Sequence, residues 1–107
     1  MIDKEKIMGL IGLSMKAGKV IFGTETVREA AERKKIKLII VAEDAADRTI
    51  LNFKKIAEKQ KILFITWGTE QELSKAIGKE NKVIIGIKDK NLANAIIKRI
   101  YGGDTIG

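Results

Sequence analysis

The chain has 107 residues, with 21 Lys and Arg against 14 Asp and Glu, a formal net charge of +7, and neither His nor Cys. This length favours a single domain, and the missing residue types exclude imidazole catalysis, thiolate chemistry, disulfides and nearly every zinc or haem site. The positive charge favours a polyanionic partner such as nucleic acid or an acidic membrane surface.

Apolar residues alternate along the chain between helical spacing and short continuous runs, which predicts five helices and four strands. The predicted helices cover residues 3–17 and 24–34 and three further segments that begin at Asp47, after Thr69 and after Asp89. The predicted strands cover residues 19–22, 36–42, 61–66 and 82–87.

Capping residues mark several of these helix ends. Asp3 and Asp89 precede apolar helical patterns and are predicted N-caps. Thr69 and Glu72 have the spacing of a capping box, in which each side chain accepts from a first-turn backbone N–H. Gly78 is predicted to end that helix.

The regular alternation of helices and strands predicts a three-layer α/β/α sandwich with a central four-stranded mixed sheet. Residues 36–42 are apolar except for Lys37 and rich in β-branched side chains, which is typical of a strand covered on both faces. No linker, repeat or Pro interrupts the chain. We therefore expect residues 1–107 to form one domain, with residues 101–107 as a flexible tail.

Two enzymatic interpretations lack support. Residues 12–20 (GLSMKAGKV) resemble a phosphate-binding loop, but Gly12 and Gly18 are one residue too far apart, Val20 replaces the required Ser or Thr, and the segment precedes a strand. No Ser, Lys or Tyr stands at a recognisable spacing from a base. We predict no catalytic residue and no cofactor.

A pair of acids, Glu43 and Asp44, follows the second predicted strand, where α/β folds often place ligands. Such a pair holds Mg²⁺ in receiver domains, but no third acid stands at another strand end. We favour a structural interpretation, in which the acids lead into the helix near Asp47, and predict no metal site. A receiver-like metal-binding domain remains one alternative, and a protein-interaction module with incidental basic charge is another.

Basic residues cluster where predicted elements end. Helix C-termini attract cations, so part of this clustering has a structural explanation. The cations flank the first turn, follow the second helix and border the loop after Gly78: Lys16, Lys19, Arg33, Lys34, Lys35, Lys37, Lys79 and Lys82. The amide-rich helix start at residues 23–24 is a suitable site for a phosphate or a base edge.

The aromatic content is low, which disfavours recognition of extended single strands. Trp67 follows a strand and is expected to be partly exposed, but one ring does not form a stacking platform. Recognition of a folded RNA by its shape suits the sequence better. The longest early apolar stretch, residues 7–15, is too short to span a bilayer. We expect a cytoplasmic protein with no membrane partner.

Two segments, residues 12–44 (GLSMKAGKVIFGTETVREAAERKKIKLIIVAED) and residues 72–87 (ELSKAIGKENKVIIGI), carry a family resemblance. They resemble the kink-turn RNA-binding ribosomal proteins, the L7Ae/L30e group, in its small bacterial form. The resemblance runs over about residues 7–98 and implies an α/β/α sandwich that binds a sharply bent RNA lined by sheared G·A pairs.

The resemblance also implies a binding site. In the family the helix entry reads Gly-Thr-Asn-Glu with a Lys shortly after, and a loop before the last strand packs on an extruded base. In this chain the entry becomes residues 23–26 and the loop becomes residues 77–83. Glu25 stands where the family has Asn, Thr26 where it has Glu, and Glu29 where it has Lys. Arg28 can replace that Lys only if its side chain reaches around the helix.

We predict a non-catalytic protein that binds structured RNA, ribosomal or another kink-turn RNA, with the ribosome as a further partner and the monomer as the expected state. The residues predicted to contact RNA are Lys16, Lys19, Gly23, Thr24, Glu25, Thr26, Arg28, Arg33, Lys35, Lys37, Ile77, Gly78, Lys79, Asn81, Lys82 and Val83.

Overall fold

The structure, a computed structural model, describes residues 4–102. In this part of the chain the helices are α1 (Lys4–Lys16), α2 (Thr24–Glu32), α3 (Asp47–Gln60), α4 (Glu70–Ile77) and α5 (Lys90–Tyr101). The strands are β1 (Val20–Phe22), β2 (Leu38–Val41), β3 (Leu63–Thr66) and β4 (Ile84–Ile87). The order of elements is the predicted one, and the strands are shorter than predicted at their amino ends.

Two predictions concern the chain ends. Asp3, the predicted cap of the first helix, lies outside the described residues, as do residues 103–107 of the predicted tail. Tyr101 is the last residue of α5, and Gly102 is its left-handed C-cap, with a φ of 63°. The structure therefore places both residues at the end of a helix.

The four strands form one mixed sheet in the order β1-β4-β2-β3. Strand β2 pairs parallel with β3 and antiparallel with β4, and β4 pairs antiparallel with β1. Strands β1, β2 and β3 consequently run in one direction, and their carboxyl ends meet the amino end of β4 at one edge. We call this the upper edge (residues 22–24, 42–44, 67–69 and 82–83). The opposite ends of the strands form the lower edge (residues 19, 37, 62 and 88).

Helices cover both faces of this sheet, which confirms the predicted three-layer sandwich. On one face, α1, α4 and α5 pack with alternate residues of the sheet around Leu38 and Ile40. On the other face, α2 and α3 pack around Ile39 and Val41. All four residues of β2 are buried because the strand lies inside the sheet with a helical layer on each side. No helix within residues 4–102 has the length and apolar character needed to cross a membrane.

The predicted capping box at the start of α4 is present. Glu72 donates its backbone N–H to Thr69 Oγ1 (3.1 Å), and the Glu72 carboxylate accepts from the Thr69 N–H (3.0 Å). The same carboxylate accepts from Lys4 Nζ at 2.9 Å, which ties α4 to the start of α1. The hydrogen bond from Lys4, followed by that from the Thr69 N–H, lowers the pKa of Glu72 below its usual value.

Two further predicted caps, Asp89 and Gly78, are also confirmed. Asp89 Oδ1 accepts from the Leu92 N–H at 2.9 Å and so begins α5. Gly78 ends α4 in the left-handed conformation with a φ of 70°, which an L-residue rarely adopts. The turn after Gly78 leads directly to the upper edge, where β4 begins.

Candidate nucleic-acid interface

The entry of α2 lies on the upper edge, directly after β1. Gly23 has a φ of 95°, a backbone conformation that favours glycine, and its N–H donates to the carbonyl of Ile84 at 3.4 Å. This bond connects the entry to the first residue of β4. The N-cap residue, Gly23, makes no side-chain hydrogen bond to the first turn of the helix, and residues 24–26 are exposed. Their backbone N–H groups precede the first intrahelical bond and are available to an acceptor from outside.

The loop between α4 and β4, residues 78–83, brings two cations to this entry. Lys79 Nζ lies 5.3 Å and Lys82 Nζ 5.6 Å from the centroid of the Phe22 ring, within the range of cation–π attraction. Phe22 is the last residue of β1 and immediately precedes Gly23. The structure therefore joins the predicted helix entry and the two predicted loop lysines in one surface.

Ser74 holds this loop from below. Its buried hydroxyl accepts from the Lys82 N–H at 2.8 Å and donates to the Lys82 carbonyl at 3.2 Å. Asn81, with a φ of 56°, makes the left-handed turn that returns the chain towards β4. Ile77, predicted to contact RNA, is only 4% exposed, so its side chain supports the loop within the core. Val83 is half-buried and packs against both cores.

Glu25 and Arg28 form an ion pair on the first turns of α2. Arg28 Nη1 donates to both carboxylate oxygens of Glu25 at 2.8 Å, and its guanidinium lies 5.6 Å from the centroid of the Phe53 ring. Arg28 is thus directed towards the helix entry, and its charge offsets the negative charge of Glu25. The Glu25 side chain is 84% exposed, so water screens the pair and its contribution to stability is small, about 0.5 kcal/mol or less.

An open groove of about 560 Å³ borders the same loop. Its walls come from the end of β2, from α4 and from the loop itself: Asp44, Glu70, Gln71, Ser74, Lys75, Lys79, Glu80 and Asn81. Asp44 Oδ1 accepts from the Glu70 N–H at 2.8 Å. Asp44 therefore stabilises the start of α4, rather than that of α3 as the sequence suggested. No cluster of three or more potential metal ligands occurs among residues 4–102.

The remaining predicted cations lie on the lower edge. Lys19 and Lys37 immediately precede β1 and β2, Arg33 and Lys35 follow α2, and Lys16 ends α1. A four-residue strand spans about 13 Å, and α2 runs from the upper edge to the lower edge over a similar length. The structure therefore does not bring these five cations together with the α2 entry in one binding surface.

Trp67 differs from its prediction. It is only 5% exposed and belongs to the core shared by α1, α4 and α5. Its backbone N–H donates to the Val41 carbonyl at 3.0 Å, which extends the pairing of β3 with β2 by one residue. The sequence indicated an exposed position because the strand pattern ends at Thr66, whereas the backbone pairing continues.

The sequence matches the model of the Ribosomal protein L7Ae/L30e/S12e/Gadd45 family over residues 5–97. The chain belongs to this family. The match spans the α2 entry, the loop at residues 78–83 and most of α5, so both parts of the upper-edge surface fall inside the family domain.

Two bacterial relatives of this chain carry the name RNA-binding protein YlxQ. The relative from Enterococcus faecium is 34% identical over 100 residues, covering 94% of this chain and 96% of that protein. The relative from Bacillus subtilis (strain 168) is 31% identical over 91 residues, covering 82% of this chain and 88% of that protein.

Solved structures support the fold. A protein of unknown function from Bacillus halodurans superposes with a TM-score of 0.86 at 29% identity, covering 90% of this chain and 97% of that chain. A 15.5kD RNA binding protein from Giardia lamblia superposes with a TM-score of 0.77, covering 96% of this chain and 88% of that chain. Its identity of 16% makes this second likeness one of fold alone.

Three contributors to the upper edge were not identified from the sequence. The sequence pattern singles out neither Phe22 nor Ser74, and it relates Asp44 to the start of α3, whereas Asp44 accepts from the N–H of Glu70 in α4. Phe22 carried a usable signal, since it is the aromatic residue directly before the Gly23 turn. The contacts of Ser74 and Asp44 join elements that are distant in sequence, and only the folded topology reveals them.

Proposed function

We propose that this chain is a non-catalytic RNA-binding protein that recognises a bent, kink-turn-like RNA at its upper edge. The observation that carries the proposal is the position of Lys79 and Lys82 over Phe22, directly beside the Gly23 entry of α2. Two lysine cations suited to phosphate and the exposed backbone N–H groups of residues 24–26 thereby lie on one surface. Membership of a ribosomal protein family and relatives named as RNA-binding proteins support RNA as the ligand.

In the proposed complex, the helix start and the loop lysines contact different parts of the RNA. The N–H groups of residues 24–26 and the Thr24 hydroxyl meet base edges at the bend, because a helix start presents donors without intrahelical partners. Lys79 and Lys82 meet phosphates on either side of the bend. The groove beside the loop offers space for an unpaired nucleotide, which gives the α4–β4 loop its role in shape recognition.

The Glu25–Arg28 pair accommodates the departure from the family pattern. A lone carboxylate at the entry would repel phosphates, but Arg28 already lies against Glu25 and balances its charge. Glu25 then accepts a base-edge donor, such as a guanine amine, while Arg28 turns to phosphate. We further propose that the protein acts as a monomer in the cytoplasm and that its RNA belongs to the ribosome or to another ribonucleoprotein.

A salt-titrated binding experiment tests the site. A bent RNA and a straight duplex of equal length are compared with the unaltered protein, with Thr24→Ala and with Lys79→Gln/Lys82→Gln. We expect Thr24→Ala to weaken bent RNA by roughly fivefold, about 1 kcal/mol, and the straight duplex much less. The double lysine variant should lower the slope of log affinity against log salt by about 1.5, since each phosphate contact contributes about 0.7–0.9.

The matched control is Lys54→Gln/Lys55→Gln, which removes the same charge from exposed positions on α3. Its salt slope should stay close to that of the unaltered protein. Equal weakening of bent and straight RNA by Thr24→Ala would remove the α2 entry from the site. Binding of neither RNA at low salt would refute the proposed function and support the protein-interaction alternative.

A further inference from the structure

The lower edge carries a row of lysines that the upper-edge site does not use. Lys19 precedes β1, Lys88 follows β4 and Lys37 precedes β2, so the three occupy the same end of three adjacent strands. The Lys88 N–H donates to the Lys19 carbonyl at 2.8 Å, and the Lys37 N–H donates to the Ile87 carbonyl at 2.7 Å. Lys88, the middle member, was absent from the sequence prediction because its neighbours are distant in the chain.

Two of the three lysines share one face of the sheet. Side chains alternate along a strand, and Val20 and Ile87, the adjacent strand residues, pack in the core on the α1/α4/α5 side. Lys19 and Lys88 therefore project on the opposite side, the side of α2, and Lys37 lies beside them in the bend before β2.

The carboxyl end of α2 adds cations to this row. Arg33, Lys34 and Lys35 follow the last residue of α2 and lead directly into Lys37. Lys34 has a left-handed φ of 57°, and the Lys35 N–H donates to the Ala30 carbonyl at 2.9 Å, so this turn is held in place. We call the combined surface the basic edge: Lys19, Arg33, Lys34, Lys35, Lys37 and Lys88, all exposed.

Little within the molecule balances this charge. Arg33 has a long contact of 3.8 Å with Glu29, and Glu32 is the other acid on the last turn of α2. Across residues 4–102, no ion pair is formed by Lys19, Lys34, Lys35, Lys37 or Lys88. Like charges on directly neighbouring strands destabilise a sheet, so this arrangement favours a counter-charge supplied by a partner.

We propose that the basic edge is a second RNA surface, which binds the phosphate backbone of a duplex while the upper edge holds a bend. Exposed cations without interleaved aromatic rings, five of them without an ion pair among residues 4–102, fit a phosphate backbone, whose charge is dense and independent of sequence. The two surfaces lie at opposite ends of the strands, so both can be occupied together. The protein thereby bridges two RNA segments. The bridge rests on the proposed upper-edge site, whereas duplex binding by the basic edge is measured independently of that site.

Two labelled RNAs test the bridge. A short bent RNA with one fluorophore is saturated with protein, and a plain duplex with a second fluorophore is added at low salt. We expect a ternary complex with the unaltered protein and its loss with Lys19→Gln/Lys37→Gln/Lys88→Gln. The same variant should lower the salt slope of duplex binding by about 2–3, from three lost phosphate contacts, and change the affinity for the short bent RNA less than twofold.

Lys54→Gln/Lys55→Gln/Lys98→Gln is the matched control, because it removes equal charge from exposed positions of α3 and α5. A thermal melt of each variant establishes that it is folded. The second surface is refuted if the unaltered protein binds bent RNA but forms no ternary complex, or if the triple variant behaves like its control. It is also refuted if bent and duplex RNA weaken by the same factor, or if poly-glutamate displaces the duplex more effectively than RNA does. Duplex binding through the basic edge without preference for bent RNA would instead refute only the upper-edge function.

Discussion

Replacing Ser74 by Ala tests how the fold positions the α4–β4 loop of the proposed RNA site. Ser74 lies on α4, and its buried hydroxyl exchanges two hydrogen bonds with the backbone of Lys82, at 2.8 and 3.2 Å. These bonds fix the returning part of the loop at residues 78–83, which carries both lysines of the upper edge. Ser74→Ala removes the bonds with almost no change in volume, so packing of the core is retained.

The structure sets the expected magnitude. Each hydrogen bond contributes about 0.5–1.5 kcal/mol net. Because Lys82 is half-buried, water forms part of the hydrogen bonding that its backbone loses with the serine hydroxyl. Alanine is the better helix former by about 0.5 kcal/mol, which offsets some of the cost within α4. We expect a net loss of about 1–2 kcal/mol in the free energy of unfolding, or roughly 5–10 °C in Tm for a domain of this size.

The local effect is measured at the Lys82 amide. Hydrogen exchange of that amide should accelerate in Ser74→Ala, because its acceptor at 2.8 Å is gone. Affinity for bent RNA should fall by up to about fivefold, since binding must then order the loop. Denaturant unfolding measures the loss of global stability. Hydrogen exchange by NMR and RNA titration measure the local loss of order in the loop.

Ser14→Ala is the matched control. Ser14 is also a buried serine, but its hydroxyl donates to the Leu10 carbonyl within its own helix, at 2.8 Å. Its replacement should change stability by about 0.5 kcal/mol or less and leave exchange at Lys82 unaltered. Unchanged protection of the Lys82 amide in Ser74→Ala, with unchanged stability, would refute the role given to Ser74.

Three further predictions concern separate regions. Gly86→Ala should destabilise the fold by about 1–2 kcal/mol in denaturant unfolding, since its Cβ would lie 2.9 Å from Ile36 Cδ1, and Ile36→Val in the same chain should recover part of the loss. The ionised Glu72 carboxylate stabilises the fold above its unfolded pKa of about 4.3, and this contribution is lost as the pH falls through its lower folded pKa. Glu72→Gln should remove this pH-dependent contribution, which is measured as Tm against pH. Glu25→Gln should release Arg28 and raise the salt slope of RNA binding by up to about 0.9.

Each of these has a clear contrary result. Additive losses for Gly86→Ala and Ile36→Val would show that the close approach is relieved elsewhere. Parallel Tm profiles for the unaltered protein and Glu72→Gln between pH 3 and 7 would remove the pKa shift as a source of stability. An unchanged salt slope with weaker binding in Glu25→Gln would assign the carboxylate, and not Arg28, the main contact with RNA.

The fold could be predicted largely from the sequence because its signals are local. Helical and strand spacing gave the nine elements in order, and the capping residues Thr69, Glu72, Gly78 and Asp89 marked helix ends that the structure confirms. Strand limits were less accurate because apolar residues continue into the loops at both ends of a buried strand. Trp67 shows the opposite error, since its backbone pairing continues beyond the apparent end of β3.

The site could be predicted only in part because its assembly depends on strand order. The pattern identified Gly23 and the loop at residues 78–83, and their contact follows from the insertion of β4 beside β1. The same insertion separates Lys19 and Lys37 from that site and places Lys88 between them. No local sequence pattern shows which strands are neighbours. The sequence prediction therefore assigned to one site cations that the fold places on two separate surfaces.

The position of β4 also determines when the proposed RNA-binding surface forms during synthesis. Among residues 4–102, β1 is the first strand along the chain and pairs with β4, the last, whereas β2 and β3 pair with each other and are connected by α3. The emerging chain can therefore form a β2–α3–β3 unit early, while β1 and the start of α2 await residues 84–87. The hydrogen bond between Gly23 and Ile84 closes in that last step. The proposed site for a bent RNA therefore assembles only after residues 84–87 have been synthesised.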